Sequence, residues 1–171
     1  MAGNTVVVRP DSQTPWSAIR GLNLIRQAGL PEDVITIVTG DGNTTGTALI
    51  DEVDYVCFTG STKTGKIVAA QAGARLIGAS LELGGKNPMI VCADANLETF
   101  LEVAVRGCFT SAGQLCVSIE RMYIHESIYE KFLSAFVERV NELKLGAQLG
   151  WGYDVGSLVT DALVNRVSDA V

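Results

Sequence analysis

Three short stretches of the sequence carry residue types able to do chemistry. In Gly113-Gln114-Leu115-Cys116-Val117-Ser118 a cysteine stands in a polar, glycine-marked break between a helix-like segment and a strand-like one. A thiol on a loop can be approached by a substrate, so Cys116 is a candidate nucleophile; the alternative is that it only fills space. Glu82 lies in Ser80-Leu81-Glu82-Leu83-Gly84-Gly85. With the period of two that strands impose, Ala79, Leu81 and Leu83 share one face and Ser80 and Glu82 the other, at the carboxyl end of a strand. Ligands of open α/β sheets bind at that end, and partial desolvation among leucines and glycines suits a general base. The competing reading of Glu82 is a rim carboxylate in water. The third stretch, Thr59-Gly60-Ser61-Thr62-Lys63-Thr64-Gly65, feeds a strand into a helix start. Its N–H groups and hydroxyls suit a pyrophosphate, although a plain capped turn has the same composition. It is not a P-loop, because Ile67 stands where that motif requires Ser or Thr.

The remaining nucleophiles are less promising. Cys57, Cys92 and Cys108 sit in apolar segments and are expected in the core. The lone histidine, His125, could in principle pair with Cys116 as in a thiol hydrolase. A strand's length of extended chain separates the two, so His125 reads as a strand-end or cap residue.

The elements that must hold these residues follow from periodicity. Val6 to Val8 is a short strand, and Thr14-Pro15 starts a helix that runs to about Ala28, with Gly29 as its stop. A strand over Val34 to Val38, a short helix from Thr44 to Asp51, and a strand over Asp54 to Phe58 come next. The pattern repeats with a helix opening at "TGSTKTGK", strands at "ASLEL" and "PMIVC", and a helix from Asn96 to Ala112. A strand at "RMYIH", a helix from Ser127 to Leu143 and an amphipathic helix in "DALVNRVSDAV" complete the chain. Strands alternating with helices predict an α/β fold with a largely parallel sheet. Gly84-Gly85-Lys86-Asn87-Pro88 is the one candidate seam between subdomains.

Composition narrows the function classes. The chain has 171 residues, 47% of them hydrophobic, which is enough to bury a substantial core. Its 13 Lys and Arg against 19 Asp and Glu give a net charge of −6, and no basic run is present, so nucleic acid is not an expected partner. No apolar run approaches the roughly 18 residues of a membrane span, and the start resembles no secretory leader, so the expected location is cytoplasmic with reduced thiols. The cysteines show no metal-ligand spacing.

Taken in order, "VVVRPDSQTP", "FTGSTKTGK", "LELGGKNPMIV" and "GQLCVS" resemble the cofactor and active-site signatures of the aldehyde dehydrogenase superfamily. The 34 residues between Glu82 and Cys116 also match that family's interval between base and nucleophile. "SAGQLCVSIERMYIHESIYEKF" looks most like the NADP-dependent succinate-semialdehyde dehydrogenase branch. The resemblance implies a Rossmann-like α/β fold, truncated at both ends, with residues 1–84 in the NAD(P)-binding domain and 85–171 opening the catalytic domain. It implies that Cys116 is the nucleophile and Glu82 the general base in oxidation of an aldehyde to a carboxylic acid. Arg9, Ser12, Gly42, Thr59, Gly60, Ser61 and Leu83 would bind the cofactor, NADP in preference to NAD. Arg9 takes the place of the family's usual lysine, and Ser12 stands where NAD-preferring relatives carry a glutamate. The family's upstream oxyanion asparagine and downstream cofactor motif have no counterpart here, so the chain is expected to be a central fragment, inactive alone, of a homo-oligomeric enzyme. The alternatives are a coenzyme-A-acylating relative and a silent cofactor-binding or scaffold fragment. Glu82 weighs against the first, because thioester transfer to a thiol needs no activated water.

Overall fold

The structure, a computed structural model, describes residues 3–170. It divides into two compact units, Met1–Leu83 and Gly84–Val171. In the first, β1 (Val6–Val8), α1 (Pro15–Gln27) and β2 (Ile35–Ile37) precede α2 (Thr47–Glu52), β3 (Tyr55–Gly60), α3 (Thr62–Ala74) and β4 (Gly78–Leu83). β1 pairs with β2 and β3 with β4, both in parallel. Parallel neighbours need a crossover, and α1 and α3 supply it.

Pro15 occupies the first turn of α1 as predicted, but the Thr14 side chain makes no capping bond, so the fixed φ of proline starts this helix rather than a hydroxyl. The short helix predicted after Gly42 begins instead as a π-helical turn, Gly42–Gly46. Its cause is Asp41, whose Oδ1 accepts the N–H groups of Asn43 and Thr44, each at 2.9 Å. The Gly46 N–H then reaches back to the Asp41 carbonyl at 3.2 Å, five residues earlier. β3 extends two residues further than predicted because Thr59 and Gly60 find partners in Glu82 and Leu83. Gln71 of α3 donates to the Thr47 carbonyl at 2.8 Å and Arg75 to that of Val53 at 2.7 Å, which ties α3 to α2. Leu22, Ile50, Val68 and Ala72 are the buried apolar residues here.

The second unit contains β5 (Asn87–Val91), α4 (Leu97–Phe109), β6 (Ile119–Ile124), α5 (Tyr129–Asn141) and α6 (Asp161–Ser168). β5 and β6 are again parallel, with α4 as crossover. The core is Val91, Ala104 and Phe132, packed with Phe100 and Phe136 from the helices and Met89, Met122 and Ile124 from the strands. Phe132 and Phe136 stack at 5.5 Å between ring centroids. Asn96 starts α4 by accepting the Glu98 N–H at 3.1 Å. The predicted helix start at Ser127 is a 3-10 turn, Glu126–Ile128, which His125 caps through Nδ1. The lone histidine is thus a cap residue at the end of β6 remote from Cys116.

Two predicted burials do not hold. Cys57 and Cys92 are exposed, and only Cys108 is partly buried, with burial pushing its thiol up from the ordinary value. The sequence pattern overstated the burial of Cys57 because an apolar strand in a two-stranded pair keeps one open face, where Cys57 lies beside Ser80 on β3 and β4; Cys92 falls just past the end of β5. Among the described residues no helix is long and apolar enough to cross a membrane.

Candidate functional site

The carboxyl ends of β1 and β3 converge in the first unit on a groove of about 550 Å³, lined by Arg9, Asp11, Gly42, Thr59, Gly60 and Ser61 among others. Five of the seven residues predicted for the cofactor meet there: Arg9, Gly42, Thr59, Gly60 and Ser61. Leu83 packs instead beneath α3, and Ser12 is exposed on the turn after β1. A Cβ on Gly65 would stand 2.6 Å from a Leu83 methyl, so glycine lets α3 seat closely on the end of β4.

Specific bonds position Arg9, Asp11 and Ser61 and the turn beside them. The Arg9 guanidinium donates through Nε and Nη2 to the Gly40 carbonyl, at 3.0 and 2.8 Å. Gly40 has φ +152°, and a Cβ there would meet Thr45 Oγ1 at 2.0 Å, so any side chain would strain the backbone and displace Thr45. The Thr44 hydroxyl, then the N–H groups of Thr44 and Asn43, hold the Asp41 carboxyl below its ordinary value. These bonds therefore support the turn above the usual carboxylate range and lose that support as acid protonates Asp41. Asp11 folds onto its own turn, with Oδ1 accepting the Gln13 N–H at 2.8 Å. Ser61 caps α3 by accepting the Thr64 N–H at 3.2 Å. The first-turn amides of α3, which no helix can satisfy internally, begin where β3 ends.

Glu82 pairs with Thr59 across β3 and β4 and is therefore at the carboxyl end of the pair. It is exposed, so the desolvation expected from its leucine neighbours is not supplied by this unit: Leu81 and Leu83 turn to the other face.

In the second unit, Cys116 is exposed on the loop between α4 and β6. The loop's entry departs from the predicted helix. α4 ends at Phe109, and Ser111, Ala112 and Gly113 follow with φ of 55°, 57° and 70°, all left-handed. Non-glycine residues pay about 1–2 kcal/mol each for that conformation. Gln114 steadies the turn, its Nε2 donating to the Ser111 carbonyl at 2.9 Å. The exit is fixed by Asn87, whose Nδ2 donates to the carbonyls of Cys116 at 2.6 Å and Ser118 at 2.9 Å. Both neighbours are acceptors, so the amide orientation is unambiguous. Beyond it β6 bulges: Asn87 pairs with Ile119 but Pro88 with Arg121, leaving Glu120 as the extra residue beside Lys86, with which it forms an ion pair. Ser118 is 3% exposed and its hydroxyl has no partner among the described residues. Such a group costs about 1–3 kcal/mol. Asn87 was not picked out from the sequence, where an asparagine before a proline reads as turn chemistry.

The left-handed turn gives a direct test. Ala112→Gly removes the steric cost and adds the smaller unfolded-chain entropy of glycine, about 0.4–1 kcal/mol, so it is expected to raise stability by up to about 1 kcal/mol. Urea unfolding checks this; a lower midpoint for Ala112→Gly contradicts it.

The first unit thus holds a glycine- and hydroxyl-lined groove with a carboxylate at the strand ends, and the second an exposed loop thiol. The chain is 47% identical over 171 residues to a protein of Mycolicibacterium smegmatis named putative succinate-semialdehyde dehydrogenase NADP(+), covering 100% of this chain and 33% of that one. Among solved structures it superposes on lactaldehyde dehydrogenase from Escherichia coli with a TM-score of 0.92 at 34% identity, covering 98% of this chain and 36% of the other. On betaine aldehyde dehydrogenase from Staphylococcus aureus, crystallised in complex with NAD+, the TM-score is 0.89 at 33% identity, covering 97% of this chain and 33% of that one. The chain thus spans about a third of the length of the curated relatives it matches. The profile of the aldehyde dehydrogenase family matches residues 1–171 throughout, and the chain belongs to that family.

Proposed function

We propose that these residues serve NAD(P)-dependent oxidation of succinate semialdehyde to succinate, in a cytoplasmic homo-oligomer of the relatives' full length. The observation that carries the reading is the separation of tasks: an exposed thiol on a braced loop, and a distinct groove ringed by Arg9, Gly42, Thr59, Gly60 and Ser61. The groove fits a dinucleotide. Helix-start amides and the Ser61 hydroxyl suit a pyrophosphate, and Arg9 supplies a cation at its rim. Bound there, the nicotinamide would serve as hydride acceptor.

The chain's own residues then divide the work. The Cys116 thiolate adds to the aldehyde carbon, forming a C–S bond and leaving the charge on oxygen, which the Cys116 N–H stabilises. Loss of hydride from that carbon leaves a thioester on Cys116. Glu82 takes a proton from water as its oxygen attacks the thioester, and the C–S bond breaks to release the acid and restore the thiolate. Turnover is assigned to the longer polypeptide because Glu82 is exposed in this segment and a general base of this kind works best where water is excluded.

NADP is proposed as the preferred cofactor, in keeping with the name of the Mycolicibacterium relative. Arg9 is held at the groove by Gly40, the nearby turn carries a neutral Ser12, and the Asp11 carboxylate is engaged by the Gln13 N–H. A 2′-phosphate would therefore meet the Arg9 cation beside a neutral Ser12, with the Asp11 carboxylate turned toward its own backbone as the one opposing charge. Ser12→Glu in the full-length enzyme is expected to shift the ratio of kcat/KM values toward NAD by at least about tenfold, the effect of about 1.4 kcal/mol of added repulsion. A parent enzyme with higher kcat/KM for NAD, or a variant with an unchanged ratio, overturns the preference.

A further inference from the structure

The loop that carries Cys116 does not rest in a conformation its own residues favour. Ser111 and Ala112 enter it left-handed, the buried Ser118 hydroxyl leaves it without a partner, and β6 must bulge at Glu120 to continue the pairing. Costly local geometry persists only where surrounding structure over-determines it. Two side chains of β5 and its lead-in reach the loop and its exit. Lys86 pairs with Glu120, but both are well exposed and such pairs hold little. Asn87 is half-buried and spends both of its amide hydrogens on the loop, one on the carbonyl of Cys116 and one on that of Ser118.

We propose that Asn87 is a positioning residue for the nucleophile: its amide fixes the peptide plane that follows Cys116 and thereby the direction in which the Cα–Cβ bond presents the thiol. This rests on the reading of Cys116 as nucleophile. The geometry gives the clamp its form. Fixing the carbonyls at 116 and 118 holds the 116–117 and 118–119 peptide units, which bracket Val117 and Ser118, so the backbone just after the thiol is pinned at two points. The same bonds exclude a different role, because an amide with both hydrogens committed to backbone carbonyls has none left to offer an oxyanion. A clamp of this kind acts on the presentation of the thiol, so its loss is expected to change the rate of reaction rather than the KM for cofactor.

A displacement of the reacting atom by about 1 Å can cost about 100-fold in rate. In the full-length enzyme carrying this segment, Asn87→Ala and the isosteric Asn87→Asp, which keeps the shape but lacks the N–H donors, are expected to lower the single-turnover rate of reduced-cofactor formation about 10- to 100-fold. The rate is read with saturating enzyme in excess over aldehyde. A role confined to stability would lower the folded fraction without changing that rate, and the KM for cofactor should stay within twofold of the parent. Single-turnover rates within threefold of the parent for both variants overturn the clamp. Cys116→Ala in the same assay separates the two readings. If it abolishes the reaction while both Asn87 variants run at parental rate, only the clamp is lost; if it leaves the reaction intact, the nucleophile assignment and the clamp fall together.

Discussion

Replacing Cys116 by alanine in the full-length enzyme is expected to abolish aldehyde-dependent reduction of the cofactor, by about 10⁴-fold or more, while leaving the fold intact. The size of the effect follows from chemistry: without the thiol no covalent adduct forms, and removal of a nucleophile forfeits nearly all of the rate that its partners contribute. The absence of a folding effect follows from the loop. Cys116 is exposed, and its backbone carbonyl, which alanine retains, makes the contact with Asn87. Stopped-flow absorbance and thermal unfolding check the two halves together. Appreciable turnover by Cys116→Ala would remove the thiol from the mechanism.

Glu82→Gln should behave differently at the same site. Nothing in thiol addition or hydride loss requires the carboxylate, so about one equivalent of reduced cofactor per active site should appear at near-parental rate. The reaction should then stall, with steady-state turnover down by about 10²–10⁴-fold, because glutamine cannot take the proton from the attacking water. Intact-mass measurement of the stalled protein should find the acyl group on Cys116. Glutamine occupies the same strand position opposite Thr59, so β3 and β4 keep their register. Unimpaired steady-state turnover, or absence of the first equivalent, contradicts the assignment of Glu82 as the base for thioester hydrolysis.

What the sequence made legible was what repeats or what local chemistry compels. Pro15 and the spacing of Ile19, Leu22 and Ile25 marked α1, and alternation around Glu82 placed it on the strand face and at the strand end where it lies. What was hidden depends on contacts distant in the chain. Nothing in Thr110-Ser111-Ala112 signals a left-handed path, since alanine favours a right-handed helix; the turn exists because the chain must leave α4 and reach β6. The Asn87 clamp spans 29 residues to Cys116 and has no periodic trace. Cys57 and Cys92 looked like core because they sit in apolar segments, but Cys57 lies on an open strand face and Cys92 just past the end of β5.

The pairing of the strands has a consequence for how the chain acquires its shape. Every strand pair joins strands that are neighbours among the strands in the sequence, with partners about 23 to 33 residues apart, and the intervening crossover is never longer than that. The entropy of closing such loops rises only slowly with their length, and none of the three has to wait for a distant segment. During synthesis each pair can therefore close once its second strand has left the ribosome, β1 with β2, then β3 with β4, then β5 with β6, in the order of translation. The groove at Arg9 and Ser61 can accordingly be built before the loop that carries the thiol has been made.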